Sequence, residues 1–401
     1  MTRTPWRIQL LIYLLGFGCF YQQSVLSPVL PRLAGELGLS VAVVGLALSA
    51  RFLVPALFAA QLGEWTSRFG LKRSLMLSAS GMLVTTPLYL ASNDLWTLLL
   101  AQVVGGSFYM VSWIAAQTYT TRVPDRDWVV GIFATVTAVG MTVGPLVGGF
   151  TLDMGGYVAA FAAYAAGAAL MAVAALALGG HPAGAPTAPR ARPKGQLATL
   201  LARPGLQAAF TFSFICIFAI SLRGNFLPVF LEDHGMSAST IGVVLAAGSL
   251  GQAAVRPFTR LVMRRGGLRT TMTLAALFAV VGLAVMPLTA VALVLVVLAF
   301  VHGAGAGLHQ SLGLVLLADN TSDAERGYAV GLRATVNQVS SAGAPLLAGG
   351  VAAATGVAGA FYLIGGLLLL MTGWLDQVLK RAARPAPIAE TTTVPQSQRV
   401  N

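Results

Sequence analysis

Apolar stretches of about twenty residues recur along this chain at short intervals, from residue 8 to residue 379. A bilayer's hydrocarbon core takes roughly 20 residues of helix to cross, and only helices or closed barrels satisfy every backbone group within it. Strands of such a barrel need only about ten residues. The runs therefore predict membrane helices, at 8–30, 41–63, 74–92, 95–121, 127–151, 156–179, 206–231, 238–262, 270–289, 291–318, 326–353 and 356–379. Only 9% of the 401 residues are charged, against about 25% in a soluble domain. That excludes soluble enzymes, disordered chains and disulfide scaffolds. The expected fold is all-α: a membrane protein of twelve transmembrane helices in two pseudo-symmetric six-helix bundles.

The breaks between runs are short and carry Gly, Pro, Asn or Asp, as turns do. One is long, around HPAGAPTAPRARPKG, too rich in Pro, Ala and basic residues to form a core. It divides the chain into an N-terminal bundle (1–179), a linker (180–205), a C-terminal bundle (206–381) and a polar tail (382–401) expected to be disordered. Of 25 Lys and Arg residues, twenty fall on the side of the N-terminus, four fall inside spans, and Arg32 alone marks the other side. The positive-inside rule then predicts cytoplasmic termini and linker in a multi-pass inner-membrane protein. The net charge of +12 is thus a topological signal, and nucleic acid is not an expected partner.

The two halves repeat. Residues 126–149 and 326–349 share ten of 24 positions, among them Ala134-Thr135-Val136 with Ala334-Thr335-Val336, Pro145 with Pro345 and Gly149 with Gly349. Pro28-Val29 and Pro228-Val229 match at the same offset of 200, which pairs Gln23 with Arg223. Two six-helix halves repeated in parallel is a plan of secondary transporters, with the site between the halves.

At this point the chain resembles the major facilitator superfamily over essentially its whole length. The loop after the second span, Gly63-Glu64-Trp65-Thr66-Ser67-Arg68-Phe69-Gly70-Leu71-Lys72-Arg73, is similar to the family's cytoplasmic signature, with Ser67 where the family has Asp and Glu64 as the nearest substitute. Gly140-Met141-Thr142-Val143-Gly144-Pro145 in span five resembles the motif of the family's exporters. The arginine that exporters carry in span four is missing around residues 101–106. The resemblance implies rocker-switch alternating access and proton-coupled export, with Gly63, Arg68, Gly70, Gly140, Gly144 and Pro145 as conformational positions.

Ionisable residues inside a bilayer are functional candidates by default. Arg51, Arg223 and Arg333 lie within spans, Arg256 lies near a span end, and all thirteen carboxylates fall in or near loops. Arginines without carboxylates favour an anionic or zwitterionic cargo over a lipophilic cation. His302 and His309 share a helix face and are the groups able to exchange a proton near neutral pH. Tyr21, Gln22, Gln23, Tyr109, Trp113, Asn225 and Asn337 supply an aromatic and polar lining. No catalytic constellation, nucleotide loop, cofactor motif or metal-ligand set appears, and Cys19 and Cys216 sit in apolar runs. The expected protein is a monomeric, non-enzymatic exporter of a small organic molecule. Importing or facilitating an organic anion, or sensing on the same fold without transport, are the alternatives.

Overall fold

The computed structural model describes residues 4–178 and 196–382. The predicted tail, and the linker up to residue 195, lie outside the described residues. The helices are α1 (Trp6–Glu36), α2 (Val41–Phe69), α3 (Leu71–Leu90), α4 (Leu95–Thr120), α5 (Arg126–Ala177), α6 (Gln196–Ala202), α7 (Pro204–Asp233), α8 (Ala238–Val255), α9 (Thr259–Ala284), α10 (Ala292–Gly307), α11 (His309–Asp319) and α12 (Asp323–Ala382). No strand occurs among the described residues.

Helix lengths recover the twelve crossings. At 1.5 Å per residue, the 52 residues of α5 and the 60 of α12 would each form a rod more than twice as long as the roughly 30 Å hydrocarbon core. Both fold back at glycines outside helical geometry, Gly155–Gly156 and Gly356. α9 does the same at Gly267, so its first turns complete the crossing that α8 begins. Between them, a 3₁₀ turn at Arg256–Phe258 interrupts the predicted eighth span, because Pro257 has no N–H to donate. The predicted tenth span is likewise divided, at Leu308, into α10 and α11.

The repeat is written into the backbone. The glycines with positive φ come as three pairs, Gly38 with Gly235, Gly70 with Gly267, and Gly156 with Gly356. Each closes a helix-to-helix turn in a region that costs other residues about 1–2 kcal/mol. The helix ends repeat as well. Lys72 Nζ donates to the Leu176 carbonyl at 3.0 Å, while Arg269 holds Asp376, 200 positions after Leu176, at 2.7 and 3.1 Å. The turn glycines correct one sequence alignment. Gln23 precedes Gly38 by fifteen residues, but Arg223 precedes Gly235 by twelve. In the first helix of each half the offset is therefore 197, and Arg223 lies nearly one turn closer to the turn than Gln23 does.

Each half has its own apolar core, one built from residues 12–178 and joined by Ala238, the other from residues 208–379. The bundles meet tightly on one face only, the one opposite the arginine-rich face where α1 begins. There Gly45 lies against the Pro345 carbonyl and the backbone of Gly349, and Gly242 lies against the Pro145 carbonyl. These contacts are repeat-related, Gly45 matching Gly242 and Pro345 matching Pro145. Gly149 packs on the Ala238 carbonyl beside them. Toward the arginine-rich face the bundles part, and α4 makes no extensive packing with α10 or α11. The molecule is closed on one side and holds a cleft open to the other.

One charged contact has no counterpart in the repeat. Asp153, near the fold-back of α5, accepts from the backbone N–H groups of Ala238 (3.1 Å) and Ser239 (2.7 Å), capping α8 of the other half, with Arg32 at 3.8 Å. Position 353 is alanine. Such bonds to a charged acceptor contribute about 1.5–3 kcal/mol when buried and less here, where Asp153 is partly exposed. Asp153→Asn is expected to speed amide hydrogen exchange at Ala238 and Ser239 several-fold while leaving the Thr97 amide unchanged. That amide is capped by Asp94, whose carboxyl the bond holds below its ordinary value.

Candidate functional site

The cleft lies between the two bundles below the closure, and α4 of one half meets the first leg of α12 of the other across it. Its floor is bridged at mid-depth, where Gln338 Nε2 meets Met110 Sδ at 3.5 Å. A separate, open vestibule of about 560 Å³ on the closed face is lined by Arg32, Glu36, Asp153, Glu232 and Ser237. It lies outside the closure and opens away from the cleft.

In the first bundle, an aromatic wall forms around Phe20. Its ring stands edge-on to Trp113 (centroids 4.8 Å apart) and to Tyr109 (6.3 Å), and Trp113 stacks on Phe133 at 5.9 Å. Gly16 lets the Phe133 ring lie directly on α1. Tyr109 and Trp113 were expected from the sequence. Phe20 and Phe133 were not, since a phenylalanine inside an apolar run carries no polar signal.

The three polar residues of α1 turn different ways. Tyr21 stacks on Phe17 and donates weakly to the Ala163 carbonyl at 3.4 Å, against the second leg of α5. Gln22 is buried and donates to the Tyr164 carbonyl at 3.3 Å, its Oε1 left without a partner. Gln23 is half-buried, and its Oε1 also lacks a partner. Arg51 is 6% exposed in α2, with its carbonyl against Gly106 of α4 and its guanidinium 5.5 Å from the Phe52 ring. It has no hydrogen bond or ion pair among the described residues.

The second bundle divides its cations between two depths. Arg223 is 3% exposed and lies on Gly248 of α8, donating to the Leu245 carbonyl at 2.8 Å with Nε unpartnered. His302 is fully buried beside α9; its Nδ1 donates to the Ala279 carbonyl at 2.6 Å and its Nε2 has no partner. Both are enclosed within the bundle, away from the cleft. Nearer the arginine-rich face, Arg333 donates to Ser213 Oγ (3.2 Å) and to Oε1 of the exposed Gln310 (2.9 Å). His309 donates from Nδ1 to the Ala306 carbonyl at 2.7 Å. Asn225 turns back on Ser221, and Asn337 keeps a buried Oδ1 without a partner. The structure thus brings Tyr109 and Trp113 together and leaves Arg51, Arg223 and Arg333 at three separate places.

The motif glycines act through packing. Gly140 lies against Phe17, Gly144 against Tyr21 and Ser24, and Gly148 against Val25, so α5 sits directly on α1, with Pro145 at the closed face. In the loop signature, Gly70 makes the turn at φ 98°. Glu64 bonds Arg68 of its own helix at 2.6 Å rather than a neighbouring helix, and Gly63 faces open space.

The Major Facilitator Superfamily profile matches residues 12–223 and again 209–397. The chain belongs to that superfamily. It is a multi-pass membrane protein of a transporter family. It is similar to the multidrug resistance protein MdtG of Proteus mirabilis (strain HI4320), 32% identical over 155 residues, 36% of this chain and 39% of the relative. It is also similar to the class E tetracycline resistance protein of Escherichia coli, 28% identical over 156 residues, 37% of each chain. The alignments thus span less than two fifths of these curated relatives. Among solved structures, a bacterial homolog of the human lysosomal transporter Spinster, inward-facing and unoccupied, superposes with a TM-score of 0.76 at 16% identity, covering 96% of this chain and all of that one. The nucleoside transporter NupG gives 0.77 at 16% identity, covering 93% and 99%. At such identity the likeness is one of fold.

Proposed function

We propose that this superfamily member exports a small organic anion or zwitterion across the inner membrane by alternating access, in exchange for protons. The observation that carries the reading is the set of three buried arginines, Arg51, Arg223 and Arg333, none of which pairs with a carboxylate among the described residues. A cation at bilayer depth costs about 2.5–3.5 kcal/mol on insertion scales and more by simulation. A cargo that brings its own negative charge offsets that cost when it binds.

The arginine-rich face is the cytoplasmic one in this reading, so the cleft opens to the cytoplasm, as an exporter's loading state must. The relatives named for multidrug and tetracycline resistance support the outward direction. The proton carrier is His309, since His302 is enclosed within its bundle. A carbonyl only accepts, so Nδ1 of His309 carries hydrogen and Nε2 is the atom free to take a proton.

Ligand-induced thermal stabilisation of the detergent-purified chain tests the charge preference. The panel holds organic anions, zwitterions and lipophilic cations, applied to the native chain and to Arg51→Gln, Arg223→Gln and Arg333→Gln. Stabilisation by anions or zwitterions, weakened about tenfold or more in at least one variant, is the expected result. Stabilisation by lipophilic cations alone, unchanged in all three variants, overturns it.

A further inference from the structure

Just below the bridge between Met110 and Gln338, the two bundles present opposite chemistry at repeat-related positions. Phe133 and Arg333 are the same position of the repeated segment 126–149 and 326–349. Their neighbours on the first helix of each half correspond too. Gly16 lies under the Phe133 ring, and Ser213, 197 positions later, accepts from Arg333. The offset is the one set by the turn glycines Gly38 and Gly235. In the first half this place is filled by the aromatic wall; in the second it is filled by a guanidinium held between Ser213 and Gln310.

The two places lie at similar depth in the two bundles. Met110 touches Gln338 across the cleft, and Trp113 shares its helix face, one turn nearer the arginine-rich side. Arg333 lies five residues from Gln338 in the same direction. At 1.5 Å per residue the depths below the bridge are roughly 4.5 and 7.5 Å. Phe20, Tyr109 and Trp113 are half-buried, and Gln310 is exposed, so neither surface is sealed within its bundle. Arg223, by contrast, keeps a buried Nε with no partner.

We infer that the cargo is an aromatic organic anion, its ring laid on the Phe20, Tyr109 and Trp113 wall and its anionic group taken by Arg333 with Gln310. The inference rests on the anion-export reading and narrows it. A planar guanidinium already fixed by two side chains presents its remaining N–H groups to a carboxylate at low entropic cost. Edge and face contacts on the wall select a ring over an aliphatic chain. A single-ended site would hold an anion or a ring; this pair of surfaces holds a molecule that is both, and rocking of the halves would separate them and weaken its hold.

Thermal unfolding of the full-length chain in detergent, at fixed ionic strength, tests this with three probes: 2-naphthoate, acetate and 2-naphthylmethylammonium. Saturable stabilisation by 2-naphthoate alone is expected. The apparent Kd rises at least tenfold in Arg333→Gln and in Trp113→Ala, and less in Arg333→Lys and Trp113→Phe. Gln310→Ala, at an exposed site, serves as a further variant with an expected loss of several-fold. If 2-naphthoate binds but these variants bind it as tightly as the native chain, the paired site is wrong. If 2-naphthoate fails while other anions stabilise the chain through Arg51 or Arg223, the aromatic assignment falls and the anion reading stands. If only the ammonium probe stabilises, both fall.

Discussion

Valine at both Gly45 and Gly242 is expected to turn the chain inside out, emptying the state described above in favour of one open on the opposite face. Each glycine brings its helix against the carbonyl of a proline in the other half, Pro345 for Gly45 and Pro145 for Gly242. A Cβ at either position would fall inside the van der Waals contact of that oxygen, and one at Gly45 would also come within 2.8 Å of the Gly349 Cα. These obstacles are backbone, so no rotamer change relieves them. Overpacking costs about 1–3 kcal/mol per site. Two repeat-related sites together approach the ~5.5 kcal/mol that moves a two-state population from 99:1 to 1:99. The clash disappears when the halves rock apart, because it lies between bundles and not within one. Spin labels at Glu36 and Asp233, on opposite halves of the closed face, should report a longer separation in the double variant. Either single variant should give a mixture of the two distances. Unchanged distances, in a chain that unfolds as the native one does, would show that these glycines do not set the closure.

The same glycines explain how far the sequence could be read. The spans and the half-chain repeat follow from apolar length and residue order, which twelve crossings leave no freedom to disguise. Pro145 and Pro345 were visible as a pair; that Gly242 and Gly45 press on their carbonyls was not, because the pattern records which residues are small and not what they touch. The register of the first helices was misread for a concrete reason. Pro28-Val29 and Pro228-Val229 match at 200, but the turn glycines stand 197 apart, and a three-residue slip moves Arg223 almost a full turn relative to Gln23. Of the site, the polar candidates were legible one by one. Their grouping was not: Gln22 turns into its own bundle, Arg223 and His302 are enclosed in theirs, and the wall depends on Phe20, which apolar composition hides. The clue that was present was Phe133 opposite Arg333 within the aligned repeat, a substitution of ring for charge at one symmetric place.

A second large effect is expected from Gly303→Val, and it should differ in kind from the first. Gly303 lies in the last third of α10, where a Cβ would meet the carbonyl oxygen and the backbone of Gly248 on α8. One turn away, Gly251 lies just as closely on the Phe300 carbonyl, and Gly307 on Gln252. This is a seam of small residues on both helices, the arrangement that lets membrane helices associate when lipid supplies no hydrophobic drive between them. It lies within one bundle, so rocking of the halves offers no relief. The valine must spread α8 from α10, and that also displaces Arg223, whose guanidinium rests on Gly248, and His302, the neighbour of Gly303. Overpacking against backbone on this scale should cost about 3 kcal/mol or more. A bundle of this size loses roughly 2–4 °C of melting temperature per kcal/mol. Gly303→Val should therefore melt about 6–12 °C lower in detergent or fail to accumulate. Gly248→Ala should do less, because its Cβ meets a side chain, Arg223, that has some freedom to move. Gly224→Ala, with no neighbour within 4 Å, should leave the midpoint unchanged. That ranking separates seam from gate: the Gly45 and Gly242 variants change which face is open and keep their melting point, whereas Gly303→Val lowers the melting point without favouring either face.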